Sequence, residues 1–97
     1  MNFKFIEPAL LEMDDAARYY NEQLSGLGVK FYYEVLSTIE LIQLFPSSWN
    51  QCSPNTRKAI LKAFPYSLIY VIDGETIVII AIAHHHRKPE YWIDRIL

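Results

Sequence analysis

The sequence is poor in cysteine and has no long apolar run, and each shortage excludes a class of protein. A single cysteine, Cys52, cannot form an intrachain disulfide, which excludes a disulfide-stapled domain and fits a reducing compartment. The longest apolar run, residues 77–83, is far too short to cross a bilayer. Residues 1–8 offer neither the basic start nor the apolar stretch of a secretory signal. These observations predict a cytoplasmic protein without a membrane partner.

Positive charge is also scarce, because nine Lys and Arg stand against eleven Asp and Glu, for a formal net charge of −2. This balance argues against the broad positive face of a nucleic-acid-binding protein. The charges are unevenly placed, however. Residues 1–50 carry three basic and seven acidic side chains, whereas residues 51–97 carry six basic and four acidic ones. We therefore expect any anion-contacting surface to lie in the C-terminal half.

The length of 97 residues predicts a single domain spanning residues 1–97, which should bury roughly 60–70% of its unfolded surface. The hydrophobic share of 52% and the seven tyrosines are slightly above the usual values for soluble domains. We expect some of this apolar surplus to remain exposed, as happens where a protein binds a partner.

Hydrophobic spacing predicts a strand over residues 3–6, closed by Pro8, and then two amphipathic helices joined at residues 25–28. The first helix begins near Ala9, and its predicted buried stripe is Leu10, Met13, Ala17, Tyr20 and Leu24. The second spans residues 29–45, ends before Pro46, and buries Tyr32, Val35, Ile39 and Ile42. Residues 47–55 are predicted to be a loop whose Trp49 packs back onto the helices.

The remainder predicts three strands, over residues 58–64, 68–72 and 76–82. Alternation places Lys58, Ile60, Lys62 and Phe64 on one face of the first strand, and Asp73-Gly74 is a strong hairpin signal between the other two. The last strand is apolar at both parities, so we expect it to be covered on both sides, with a partner protein as one candidate cover. A short C-terminal helix over residues 89–97 would pack Trp92, Ile93 and Ile96 onto the sheet. The fold class is therefore α+β: an N-terminal strand, a two-helix hairpin and a three-stranded antiparallel sheet.

Several short motifs occur in an order that resembles a known family. They are Glu7-Pro8-Ala9, Tyr19-Tyr20, residues 26–31, Phe45-Pro46, Arg57, Phe64-Pro65-Tyr66, Ile69-Tyr70 and residues 81–92. Together they resemble the RelE/ParE toxins of bacterial type II toxin–antitoxin systems, over nearly the whole chain. The ParE-like, plasmid-stabilisation branch is the most similar, because a Phe-Pro-Tyr strand and a His-x-x-Arg-x-Pro segment after the last strand recur there.

The resemblance implies growth inhibition by one of two activities, each neutralised by a cognate antitoxin. ParE-like members bind and poison DNA gyrase, whereas RelE-like members cut mRNA on the ribosome. Ribonuclease members commonly carry an arginine after the tyrosine that matches Tyr66, but here that residue is Ser67. They are also strongly basic, unlike this chain. We therefore expect a ParE-like toxin that acts on a target protein, and the alternatives are a ribosome-dependent endoribonuclease or a decayed toxin that retains antitoxin binding only.

The predicted site residues lie mostly in the C-terminal half. If the chain is a ribonuclease, the catalytic candidates are Arg57, Lys62, His84, His86 and Arg87; the target- or partner-binding candidates are Arg57, Tyr70, His84, Arg87, Lys88 and Trp92. On a strand, His84 and His86 would share a face and His85 would point the opposite way. No metal site or cofactor is expected, since two histidines are too few for a structural zinc site. We expect the antitoxin to cover the sheet face and the helical hairpin, through which a homodimer is also conceivable.

Overall fold

A computed structural model describes residues 1–96 of the chain and confirms the α+β fold. Over these residues the elements are β1 (Asn2–Phe5), α1 (Glu7–Gln23), α2 (Leu27–Leu44), β2 (Asn50–Ser53), β3 (Thr56–Ile60), β4 (Tyr66–Asp73), β5 (Thr76–His84) and a 3-10 helix (Ile93–Ile96). Leu97, the last residue of the predicted domain and tail, lies outside the described residues. Neither α1 nor α2 combines the length and the apolar character that crossing a membrane requires.

The strands form one sheet in the order β1-β5-β4-β3-β2. β1 runs parallel to β5, from the pair Asn2 and Thr76 to the pair Phe5 and Ile79. The other neighbours are antiparallel. A parallel pair needs a crossover connection. The two helices lie within the connection between β1 and the rest of the sheet, so they pack on one of its faces.

The helical hairpin depends on two glycines in its turn. Gly26 has a φ of +90° and donates its N–H to Asn21 Oδ1 over 2.8 Å. Gly28 lies against Ala17 so closely that an added Cβ would come within 2.4 Å of the Ala17 carbonyl oxygen. A residue without a Cβ allows this approach. The two helices therefore meet closely at the start of α2.

The helices cover one face of the sheet, which we call the inner face, and the opposite face is the outer face. The inner core includes Met13 and Ala17 of α1, Phe31 and Ile39 of α2, and strand residues such as Leu68, Tyr70 and Ile79. A second cluster on the outer face consists of Ile69, Val78, Ile80, Ala81 and Trp92. β5 is thus covered on both sides, as predicted, and the chain's own C-terminal segment supplies part of the second cover.

The predicted stripe of α1 is partly wrong. Leu10 and Leu24 are exposed, whereas Ala9 and Ala16 are fully buried. The small side chains face the sheet because the helix lies close to it, and the larger leucines flank the contact. In α2, Val35, Ile39 and Ile42 are buried as predicted, and Trp49 packs against the inner core.

The sheet has a strand that the sequence did not predict, because β2 lies inside the predicted loop over residues 47–55. β2 is short and polar, and a bulge interrupts its pairing with β3 between Gln51 and Ser53. β3 ends at Ile60, so Phe64 leaves the face predicted for it and is buried in the inner core. The β4–β5 turn is Gly74-Glu75, one residue later than predicted, since Asp73 still pairs with Thr76.

Candidate functional site

A β-bulge in β5 decides which way the end of that strand faces. The pairing with β4 skips Ile80, which is an extra residue between Ile79 and Ala81. An extra residue shifts the alternation of side chains by one position. Ile79 and Ile82 therefore pack in the inner core, whereas Ile80 and Ala81 pack together on the outer face.

The three histidines follow this shifted alternation. The ring of His84 lies 4.9 Å from that of Tyr66 and 5.0 Å from that of His86, whose N–H donates to His84 Nδ1 over 3.0 Å. His85 points the opposite way, and its Nε2 lies 3.0 Å from Ser67 Oγ. The predicted split of His84 and His86 from His85 is confirmed. Burial, then the charges of His86 and His85, lower the pKa of His84.

A groove of about 470 Å³ crosses the outer face beside these histidines, and we call it the outer groove. Its lining includes Ile60, Ile69 and Ala83 from three neighbouring strands, and residues 87–92 border it on one side. Lys58 and His85 also line it. Ile60 is 57% exposed, so an apolar surface is open to a ligand at the edge of this groove.

The charges around the outer groove are mainly positive. Lys58, Arg87 and Lys88 line it against one carboxylate, that of Glu90. The guanidinium carbon of Arg87 lies 3.8 Å above the centre of the Tyr91 ring, a cation–π arrangement that holds this arginine in place. The groove therefore combines an apolar floor with cations, in a chain whose net charge is negative.

The segment that borders the outer groove is fastened to α1 by Glu12. Arg95 donates from both terminal nitrogens to the two carboxylate oxygens of Glu12, each over 2.9 Å, and the Tyr91 hydroxyl donates to Glu12 Oε2 over 2.7 Å. These bonds raise the pKa of Arg95, and burial together with the Glu12 bond raises that of Tyr91. Trp92, predicted to bind a partner, is only 4% exposed and instead packs in the chain's own cluster on the outer face.

The predicted site residues Arg57 and Tyr70 lie at the other end of the sheet. Arg57 donates to the Trp49 carbonyl over 2.6 Å, and the Tyr70 hydroxyl donates to the Pro46 carbonyl over 2.7 Å. Tyr70 is fully buried, which raises its pKa to about 12. In this conformation Tyr70 has no surface to offer a partner, and both side chains instead hold the chain between α2 and β2 in place.

The structure therefore divides the predicted ribonuclease residues. Arg57 pairs with Tyr70 and His84 with Tyr66, so they lie about 13 Å apart along the strands and roughly 10 Å apart across them. Lys62 follows β3, in a turn where its backbone N–H and that of Ala63 donate to the Glu34 carboxylate of α2. His84, His86 and Arg87 alone are neighbours along the chain.

Several residues of this region were missed by the sequence reasoning. Ser67 and His85 were assigned no role, Lys58 was placed on a strand face but not in a site, and the partners Glu12, Tyr91 and Arg95 were not connected. The alternation of Lys58 with Ile60 was the available signal for the groove. Among residues 1–96, no three His, Cys, Asp or Glu side chains are grouped so that they could hold a metal ion.

Comparison with protein families gives a match over residues 3–89 to the family described as the ParE toxin of the type II toxin–antitoxin system parDE. No curated protein matches the sequence significantly.

Two solved structures share the fold. One is from the chromosomal ParDE toxin–antitoxin system of P. aeruginosa, with a TM-score of 0.76 and 18% identity, covering 87% of this chain and 95% of that one. The other is the isolated RelE toxin of E. coli, with a TM-score of 0.65 and 19% identity, covering 99% and 98%. At such identities the likeness concerns the fold alone.

Proposed function

The chain belongs to the family of ParE toxins of type II toxin–antitoxin systems, and we propose that it inhibits growth in the cytoplasm by binding a target protein through the outer groove, with DNA gyrase as that target. A cognate antitoxin would hold it inactive. In this proposal the toxin stabilises the plasmid or chromosomal region that encodes the pair.

The observation that carries this proposal is the composition of the outer groove. Ile60 and Ile69 give it an apolar floor, and Lys58 and Lys88 give it exposed cations. Aromatic and arginine side chains are enriched where proteins bind proteins, and here Tyr91 and Arg87 are stacked at the edge of the groove. A target protein with an acidic surface and a protruding apolar side chain would complement all of these groups.

The same groove suits the antitoxin. An acidic antitoxin segment that lies on Lys58 and Lys88 would exclude the target from the same surface. Competition for one site explains neutralisation without a conformational change in the toxin. The structure from the P. aeruginosa ParDE system that shares this fold belongs, by its name, to a toxin–antitoxin system. This supports an antitoxin as a partner of this chain.

A ribonuclease is less well supported by the site. Metal-free RNA cleavage needs an acid, a base and cations on one phosphate. Here Arg57 lies four residues along the strands from the level of His84, and the position after Tyr66 holds Ser67, which is buried and bonded to His85. The lowered pKa of His84 also disfavours the charged form that would bind phosphate.

The test is expression of the full chain in bacterial cells, scored for growth, plasmid supercoiling and mRNA 5′ ends, together with a supercoiling assay on purified gyrase. We expect growth arrest, inhibited supercoiling and intact mRNA. The Lys58→Glu/Lys88→Glu variant should lose both effects, whereas Lys4→Glu, a single reversal of charge outside the groove, should retain them. Newly cut mRNA would establish the ribonuclease instead, and folded protein that causes no arrest would indicate a decayed toxin.

A further inference from the structure

Helix α2 is apolar on two faces, and the sheet uses only one of them. Phe31, Val35 and Ile39 are buried in the inner core. On the opposite side of the helix, Tyr33 and Leu44 are 68% and 69% exposed. A surface helix normally has a polar outer face. Contiguous exposed apolar surface on a soluble domain marks a site of association.

The exposed residues form one continuous stripe along the helix. Val29, Tyr33, Leu36, Glu40 and Leu44 succeed one another at intervals of three and four, which places them on one side of an α-helix. Lys30 and Leu41 flank the stripe. We call this surface the α2 stripe.

The α2 stripe is complementary to itself. If two copies of α2 cross antiparallel about a two-fold axis on the exposed side of the helix, level with position 35, Lys30 of one copy lies opposite Glu40 of the other, and the reverse pair forms by symmetry. The same crossing sets Val29 opposite Leu41. An interface of this kind requires a single patch to match its own inverted copy, and antiparallel helices that cross at about 20° can keep such residues in contact.

The size of the side chains and the charges on α2 are both compatible with this antiparallel arrangement. Tyr33, the largest side chain of the stripe, would meet Ser37 of the second copy, which leaves room for its ring. Within residues 1–96 neither Lys30 nor Glu40 forms an ion pair. We propose that the α2 stripe binds a second copy of this chain, in an antiparallel α2–α2 homodimer with two Lys30–Glu40 ion pairs.

This homodimer leaves the proposed activity accessible. The α2 stripe lies on the helical side of the molecule, whereas the outer groove lies on the opposite face of the sheet. Each copy would present its groove to solvent, and a dimer would bind two target or antitoxin segments. The inference does not depend on which target the groove binds.

Sedimentation equilibrium of the full chain over a wide concentration range tests the proposal. We expect a reversible monomer–dimer equilibrium. Lys30→Glu or Glu40→Lys alone sets like charges opposite each other twice per dimer, so each should raise the dimer dissociation constant by at least roughly tenfold. The double variant restores opposite charges and should dimerise like the unaltered chain.

Lys4→Glu, which makes the same charge change on β1, is the control and should not alter the equilibrium. Circular dichroism should show the same helix content in every variant, since Lys30 and Glu40 are exposed. Tyr33→Asp gives an independent check by placing a charge in the apolar part of the stripe. The proposal is overturned if the chain is monomeric throughout, which would leave the stripe to a different protein, or if the single charge reversals sediment like the unaltered chain.

Discussion

Glu12 and Arg95 form a two-contact ion pair that closes the exposed edge of β5. β1 ends at Phe5, so beyond Ile79 the edge of β5 has no neighbouring strand in the described chain. There the Ile82 N–H donates to Glu12 Oε1 over 3.0 Å, and Arg95 donates to the Ile80 carbonyl over 3.1 Å. The two side chains supply the acceptor and the donor that a strand would offer. An edge that is satisfied in this way cannot pair with another chain.

Removal of this pair should destabilise the protein. In Glu12→Ala, Arg95 loses its partner while its side chain stays only 21% exposed, and the Ile82 N–H and the Tyr91 hydroxyl lose their acceptor. Unsatisfied groups in such surroundings cost about 1–3 kcal/mol. We expect a loss of that size in the free energy of unfolding, measured by urea denaturation.

The exposed pair Asp15–Arg18 is the matched control, since its side chains are 71% and 68% exposed and meet at 3.1 Å. An exposed pair contributes at most about 1 kcal/mol, so Asp15→Ala should have a much smaller effect. Equal losses for Glu12→Ala and Asp15→Ala would show that the β5 edge does not depend on Glu12.

Gly28→Ala tests the close contact of the two helices, because the contact decides whether this change raises or lowers the free energy of unfolding. Alanine in place of glycine stabilises an ordinary helix position by about 1 kcal/mol. Here the new Cβ would lie 2.4 Å from the Ala17 carbonyl oxygen, and a backbone atom cannot move aside cheaply. We expect a net loss of about 1–3 kcal/mol, seen as a lower melting temperature. The control, Ser37→Ala on the exposed side of α2, should be neutral or slightly stabilising, and a stabilised Gly28→Ala would refute the contact.

Local patterns were sufficient for most of the fold. The three- and four-residue spacing in α2 identified its buried face, because Val35, Ile39 and Ile42 meet one continuous core. Pro8 and Pro46 marked boundaries of elements correctly, since proline lacks the N–H that a helix or a sheet would use, whereas the strand predicted to reach Phe64 before Pro65 ends at Ile60. β2 was missed because it is a short polar edge strand, in which neither face is buried enough to impose alternation.

The candidate site depended on facts that local patterns do not contain. β5 is apolar at both parities, so no pattern could reveal the extra residue Ile80, and that bulge sends His85 rather than His84 to the outer face. Likewise, Glu12 and Arg95 are separated by 83 residues, and a lone charge on a helix does not indicate its partner. Arg57 was singled out through the family resemblance, but its partner, the Trp49 carbonyl, became visible only with the fold.

Tyr70 should make stability fall at high pH. Its folded pKa of about 12 is raised by burial above the unfolded value of about 10. A raised pKa means that the unfolded chain releases this proton first, so the stabilisation is complete below pH 10 and is lost as the pH rises towards 12. Tyr70→Phe removes the hydrogen bond to the Pro46 carbonyl and should lower the free energy of unfolding by about 1 kcal/mol at neutral pH. Between pH 10 and 12 the stability of this variant should fall less steeply than that of the unaltered chain.

Urea denaturation at several pH values, together with the phenolate absorbance, provides the measurement. Tyr33→Phe removes an exposed tyrosine of α2 and serves as the control, with an alkaline decline like that of the unaltered chain. An identical decline in Tyr70→Phe would assign the effect to other tyrosines, among them Tyr91, whose pKa is also raised.

Arg57 and Lys58 are adjacent on β3 but should differ in function, because they face opposite sides of the sheet. Arg57 donates to the Trp49 carbonyl, whereas Lys58 lines the outer groove. Arg57→Ala should therefore lower the free energy of unfolding by about 1–2 kcal/mol through the lost bond, while toxicity at a permissive temperature persists. Lys58→Glu should change the free energy of unfolding by no more than about 0.5 kcal/mol relative to the unaltered chain, as expected for an exposed side chain. It should nevertheless weaken growth arrest and gyrase inhibition. Urea denaturation and induced growth assays on both variants separate the two roles, and a Lys58→Glu protein that is folded and fully toxic would remove the outer groove from the proposed mechanism.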